Sequence, residues 1–242
     1  MSKKNEAVVR ALLGLHGQTY AAQAGIKLRN TPAPLYQLLV LSLLLSARIR
    51  ADTAVAAARA LFAAGMRDAR RMAEATWQQR VDALGEGGYR RYDERTSTQL
   101  GDGAELLLER YKGDLRRLRE DTDPKKLLRE IPGIGPTGVN IFLREAQALW
   151  PEFSPYLDRK VLDGAERLGL STSPKTLASL VEDADLPRLA AGLVRTALDK
   201  RIAEKVRSVA SGLSPHPSQG RNGKRDAEMG WSRLHRVMQR MQ

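Results

Sequence analysis

The stretch IPGIGPTGVN, residues 131 to 140, sets three glycines and two prolines between apolar neighbours. Gly133 and Gly135 permit positive φ and close backbone approach, and Pro136 suits the first turn of a following helix. That helix would open with outward-facing amides at Gly135, Thr137 and Gly138, and a helix N-terminus of this kind seats phosphate. A tight helix–helix connection that uses glycine for geometry and binds nothing is the other reading of the same residues. Metal and thiol chemistry have little material. There is no cysteine, which excludes disulfides, thiolate zinc sites, iron–sulfur clusters and cysteine nucleophiles. The three histidines, at 16, 216 and 235, are too scattered to form a convincing metal set.

Forty Lys and Arg against 28 Asp and Glu leave a net charge of +12, which biases the partner toward a polyanion, nucleic acid or an acidic membrane surface. A length of 242 residues with 42% apolar content allows one large or two small cores. The longest apolar run, LLVLSLLLSA at 38–47, is about half the roughly 20 residues a bilayer requires. The opening MSKKNEAVVRALLG lacks a long apolar region and a cleavage site. A cytoplasmic, nucleoid-associated protein without a membrane partner is the expectation.

Strand signals are scarce and helix signals abundant, so the chain reads as all-α. Pro34 opens a helix apolar on nearly every face, PLYQLLVLSLLLSA, and Asp52 caps TAVAAARALFAAG. Helices follow near 68–75, 76–84 and 91–111, the last containing Gly101 and Gly103, where a break or a close contact is expected. DPKKLLRE (123–130) leads into the glycine-rich bend, and PTGVNIFLREAQALW runs from it to Trp150. Further helices are DRKVLDGAERLG, SPKTLASLVEDA and one long LPRLAAGLVRTALDKRIAEKVRSVASG. From residue 213 the composition turns to proline, glycine and polar residues. DAEMGWSRLHRVMQRMQ then reads as a basic amphipathic helix, either docked or a DNA-hugging arm.

IPGIGPTGVN resembles the LPGVG-type hairpin of the helix-hairpin-helix DNA glycosylases, the superfamily of endonuclease III and the adenine-mismatch and 3-methyladenine glycosylases. LVLSLLLSARIRAD is similar to that family's barrel helix with its LSAQ-type ending, and PYLDRKV stands where the family places its catalytic loop. The likeness spans about residues 30 to 210. It implies a two-domain fold, with a six-helix barrel at 34–150 carrying the hairpin at 124–149, a second domain from 1–33 plus 151–212, and a basic tail at 213–242.

The resemblance also implies site residues. Asp158, the acid of PYLDRKV, would be the carboxylate that stabilises an oxocarbenium-like sugar or activates water; N-capping RKVLDGAERLG is its bland alternative. Thr137 stands where bifunctional members carry their Schiff-base lysine, and a hydroxyl forms no imine. Lys160, two residues past Asp158, is an alternative amine for a lyase step, or else solvated or phosphate-facing. Arg48 lies where relatives place the glutamine that fills the gap left by an extruded base, and reads equally as a surface charge. Gly133, Gly135, Thr137, Gly138, Arg48 and Lys160 are thus the expected DNA contacts, without a metal, though the family suggests a monovalent cation among the hairpin carbonyls. The arginine runs YRRYDER (89–95) and YKGDLRRLR (111–119) would grip backbone or remain solvated faces. Tyr36, Trp77, Trp150 and Tyr156 are candidates to stack a flipped base or to sit in the core, and Glu130 and Asp163 are candidate general acids.

The expected function is a monomeric, monofunctional DNA glycosylase acting on duplex DNA with a modified base, an alkylated purine by preference because a cationic base leaves without protonation. The alternative is a glycosylase-like protein that binds damaged or distorted duplex without cutting.

Overall fold

The computed structural model describes residues 3–212, and every regular element among them is helical. In chain order these are α1 (Lys3–His16), α2 (Tyr20–Gln23), α3 (Pro32–Ser46), α4 (Ala51–Ala63), α5 (Ala69–Glu74), α6 (Trp77–Glu86), α7 (Asp93–Tyr111), α8 (Leu115–Arg119), α9 (Pro124–Glu130), α10 (Pro136–Ala146), α11 (Arg159–Leu168), α12 (Pro174–Ala178), α13 (Leu186–Leu198) and α14 (Lys200–Ala210). Short 3₁₀ turns occupy Pro151–Phe153 and Asp183–Asp185. No described helix is long and apolar enough to cross a membrane. The amphipathic helix expected near the C-terminus lies outside the described residues.

Helix α3 organises the first of two cores. Its buried residues, Leu35, Tyr36, Leu38, Leu39, Val40, Leu41, Leu43 and Leu44, point in all directions, so the helix is surrounded by neighbours. Each fully buried aliphatic side chain contributes about 1.5–3 kcal/mol of transfer free energy. The cluster takes in Ala21 to Ile26 and then α3 to α10, closing on Trp150. The second core joins Val8, Val9 and Leu12 of α1 to residues from Leu157 to Val206. The chain crosses between the two cores at Tyr156, which packs on the first, and Leu157, which is buried in the second.

Several boundaries differ from the sequence expectation, each for a local reason. Helix α3 begins at Pro32, two residues before Pro34, because prolines are tolerated throughout a first turn, where no amide need be bonded within the helix. Arg50, not Asp52, occupies the cap position of α4; Asp52 lies inside the first turn, where its charge still complements the helix dipole. Helix α7 does not break at its glycines. A Cβ at Gly101 would come within 2.7 Å of Arg80 Nη2, and one at Gly103 within 3.2 Å of Ile131 Cγ2, so both admit close contacts. Helix α10 stops at Ala146, short of Trp150, whose ring packs 5.2 Å from that of Phe142. The single C-terminal helix is two: Asp199 is extended and its side chain accepts from Arg201 N–H at 2.9 Å, capping α14. Helix α8, inside the arginine run 111–119, was not anticipated.

Candidate functional site

The bend between α9 and α10 is built as the glycine and proline pattern demands, with one change. Asp123 caps α9 by accepting from Lys126 N–H at 3.1 Å, and buried Ile131 and Ile134 anchor the turn. Only Gly133 has positive φ, +85°, and a Cβ there would also lie 2.7 Å from Leu43 Cδ1. Gly135, expected to share that freedom, is extended (φ −91°, ψ −174°) and caps α10 with open space around its missing Cβ. The first intrahelical bond runs from Val139 N–H to Gly135 O at 3.0 Å, leaving the Thr137 and Gly138 amides ahead of it. Gly135, Pro136 and Thr137 are exposed, whereas Gly138 packs on Ile134.

A cleft of about 470 Å³ lies over this bend, lined by Arg95, Gln99, Arg129, Gly133, Gly135 and Thr137 among others. Ser46, Arg95, Gln99 and Gly133 are shared with an adjoining cleft of about 370 Å³ that reaches Arg48, Tyr89 and Tyr92. Arg48, Arg95 and Arg129 are exposed, and none forms an ion pair among the described residues. Their field adds to that of the bend's amides, so this surface attracts a polyanion. A cleft of similar size, about 480 Å³, between α4, α5 and α6 is lined by Glu74, Asp82 and Glu86 with Arg71, so its charge is on balance negative.

Asp158 stands at the N-cap of α11, accepting from Val161 N–H at 3.4 Å. Its stronger partner is Arg144, which donates from Nε to Oδ1 at 3.0 Å and from Nη2 to Oδ2 at 2.7 Å. Both side chains are nearly buried, 12% exposed for Arg144 and 13% for Asp158. The segment before Asp158 is held by the same stretch of chain as Arg144. Tyr156 O–H donates to Asn140 Oδ1 at 2.7 Å, Tyr156 N–H donates to Gln147 Oε1 at 2.8 Å, and Gln147 Nε2 donates to Tyr156 O at 3.3 Å. Positions 140, 144 and 147 recur at helical spacing and share a face with Thr137. Burial, then the Asp158 charge, pushes the Tyr156 hydroxyl's pKa up against the opposing pull of Arg144. Neither cleft over the bend is lined by Asp158 or Arg144.

Other residues singled out in the sequence are dispersed. Lys160 is exposed, with Nζ 3.8 Å from Asp163 Oδ2, and Asp163 also accepts from Arg159. Glu130 accepts from Arg110 Nη1 at 2.8 Å. Tyr36 and Trp150 belong to the core, and Trp77 is exposed with its indole N–H on Thr98. Of the four aromatics only Tyr156 adjoins Asp158. Arg116 and Arg119 of the second arginine run are bound to Asp114 and Glu152. Arg144, Asn140 and Gln147 were not singled out, although three polar side chains at i, i+4 and i+7 along α10 and its C-cap were the available signal. Glu145 was missed too. It is buried, accepts from the amides of Tyr20 and Ala21 at 2.7 and 3.0 Å, and its pKa is raised to about 7 by burial. No group of His, Asp and Glu among the described residues has the arrangement of a metal site.

No protein-family model and no curated protein matches the chain. Two solved structures are similar in shape. One is a trapped covalent endonuclease III–DNA intermediate described as an estranged-adenine complex (TM-score 0.44), the other a non-covalent endonuclease III–DNA complex (TM-score 0.46). Each is 16% identical and is covered over 85% of its length by 80% of this chain. At that overlap the likeness transfers no residue correspondence.

Proposed function

We propose that this protein is a DNA glycosylase that binds duplex DNA by the bend at 131–138 and releases a modified base by hydrolysis, without lyase chemistry. The observation that carries this reading is the double use of α10. The helix opens at the amide-bearing bend, and its far turns hold the Tyr156–Asp158 segment where the chain crosses between the two cores. Backbone phosphates would be met by the Thr137 and Gly138 amides and by Arg48, Arg95 and Arg129. The Asp158 carboxylate would then face the deoxyribose. Water adds to C1′ as the N-glycosidic bond breaks, the bonding pair leaves with the base, and the water's proton passes to the carboxylate or to solvent. A cationic alkylated purine departs neutral and needs no acid, which suits a site whose remaining carboxylates, Glu130 and Asp163, are already ion-paired. Thr137 offers a hydroxyl, so strand cleavage through an imine has no nucleophile at that position.

The test is a panel of duplexes, each with one modified base, incubated with protein and read before and after hot alkali. Alkali-dependent cleavage at an alkylated purine is expected, with none before alkali. Asp158→Asn is expected to lose release while still binding an abasic-site duplex. One observation favours the second reading, a damage binder that does not cut: Arg144 neutralises Asp158 with two hydrogen bonds. No release from any lesion, with binding intact, would establish that reading in place of the first.

A further inference from the structure

We propose that Arg144 exchanges partners when duplex DNA binds, leaving the Asp158 carboxylate for a backbone phosphate and so uncovering that carboxylate only in the complex. The inference rests on reading α10 as the helix that meets DNA. Arg144 follows Thr137 by seven residues, two turns along the same face and about 10 Å along the axis. That is roughly the rise of three nucleotides on one strand. A strand seated on the bend's amides and continuing along α10 therefore arrives at the guanidinium.

Four features of the site favour exchange over a fixed pair. First, Nε and Nη2 hold the carboxylate side-on, which leaves Nη1 outside the pair, and the side chain keeps 12% of its surface exposed. Second, Arg144 is not needed to place Asp158. Three hydrogen bonds between Tyr156 and the side chains of Asn140 and Gln147, none involving the guanidinium, already fix the segment to α10 and its end. Third, Asp158 keeps a partner after Arg144 departs: Val161 N–H lies at 3.4 Å, and the N-terminus of ten-residue α11 favours the anion. Fourth, a guanidinium matches phosphate and carboxylate with the same bidentate fork, so one replaces the other at little geometric cost. A carboxylate compensated by arginine stabilises a sugar cation poorly, and the same carboxylate after exchange does so fully.

The test uses binding alone, so it does not depend on catalysis. Affinity of the full chain for a duplex with a tetrahydrofuran abasic analogue is measured against salt for the native protein, Asp158→Asn, Arg144→Gln and the double variant. Asp158→Asn removes the competitor for Arg144 and is expected to tighten binding about tenfold, one 1.4 kcal/mol step. Arg144→Gln is expected to lower the slope of log K against log salt by about 0.9, one phosphate contact. In the Arg144→Gln background the Asp158→Asn gain should shrink below about threefold, half that step on a logarithmic scale. The double variant also guards against misfolding, because it removes both charges and strands neither. An unchanged slope, or an equal Asp158→Asn gain in both backgrounds, would overturn the exchange and leave Arg144 as a fixed partner. Failure of the native protein to bind any duplex at low salt would instead overturn the DNA reading itself, and the exchange with it.

Discussion

Glu145→Gln should remove one segment of the stability–pH profile and leave the rest intact. The carboxyl is buried in the first core, where it accepts hydrogen bonds from the Tyr20 and Ala21 amides, and burial raises its pKa from 4.5 to about 7. Between those values the folded protein holds a proton that the unfolded chain has released. Unfolding free energy therefore falls as pH rises from 4.5 to about 7, and levels off above. A tenfold change in proton affinity corresponds to about 1.4 kcal/mol, so the loss is on the order of 3 kcal/mol. His16, whose pKa is lowered first by burial and then by Lys205, contributes the opposite slope below 6.5. Being present in both proteins, it drops out of the difference. Urea unfolding of native protein and variant at half-unit steps from pH 4.5 to 8 gives that difference directly, and it should favour glutamine increasingly until pH 7. Parallel curves would refute the reasoning, because they would mean that the carboxyl is as well solvated in the folded protein as in the unfolded one.

Gly133→Ala should cost about 1–3 kcal/mol for a strained left-handed residue and weaken DNA binding, because φ is +85° and the new methyl meets Leu43 at 2.7 Å; thermal unfolding and binding titrations check both. Gly164→Ala should destabilise without touching the bend, since its Cβ would fall 1.9 Å from Leu193 O where α11 packs on α13; each kcal/mol lost lowers Tm by about 2–4 °C in calorimetry. Replacing Arg48, Arg95 and Arg129 together by glutamine should lower the salt slope of duplex binding by about 2.7, three phosphate contacts, with little change in Tm. Arg116→Gln with Arg119→Gln should do the reverse, lowering Tm while leaving the slope unchanged, because those side chains already serve Asp114 and Glu152.

Local signals located the helices well wherever a single residue decides the backbone. Asp68, Thr76, Asp123 and Asp158 each cap the helix that follows them, and Pro124 and Pro136 open α9 and α10. They failed where two residues offered the same service. Pro32 and Pro34 both fit a first turn, and the helix begins at the earlier of the two. The break at Asp199 was legible as an acid before a basic run, yet the apolar periodicity on either side continues through it and hides the change of direction. Of the candidate site, the bend and Asp158 stood out in the sequence, because glycine, proline and an isolated acid are conspicuous locally. Arg144 did not, because an arginine beside Glu145 on a mixed helix reads as an ordinary surface charge until the chain returns with a carboxylate 14 residues later.

Net charge shows most clearly what folding adds. A total of +12 points to a polyanion but assigns it to no surface, and the arginine-dense run 111–119 is its most conspicuous concentration. Folding takes up two of that run's arginines: Arg116 closes on Asp114, and Arg119 closes on Glu152 while lying 5.7 Å from the centre of the Trp150 ring, whereas Arg117 stays exposed. Arg110, Arg144, Arg159, Arg188 and Arg201 are committed to carboxylates in the same way. Around the bend the subtraction leaves a remainder. Arg48, Arg95 and Arg129 come from three separate stretches of chain and reach two adjoining clefts whose one lining carboxylate, Glu130, is already taken by Arg110. An arginine with an intramolecular partner must give it up before it can neutralise a phosphate, whereas one without a partner only releases solvent and counterions. The surface that binds a polyanion most readily is therefore set by where free carboxylates are missing more than by where arginines are dense. Arg144 stands between the two classes: it is paired, but to a carboxylate that has a second donor waiting.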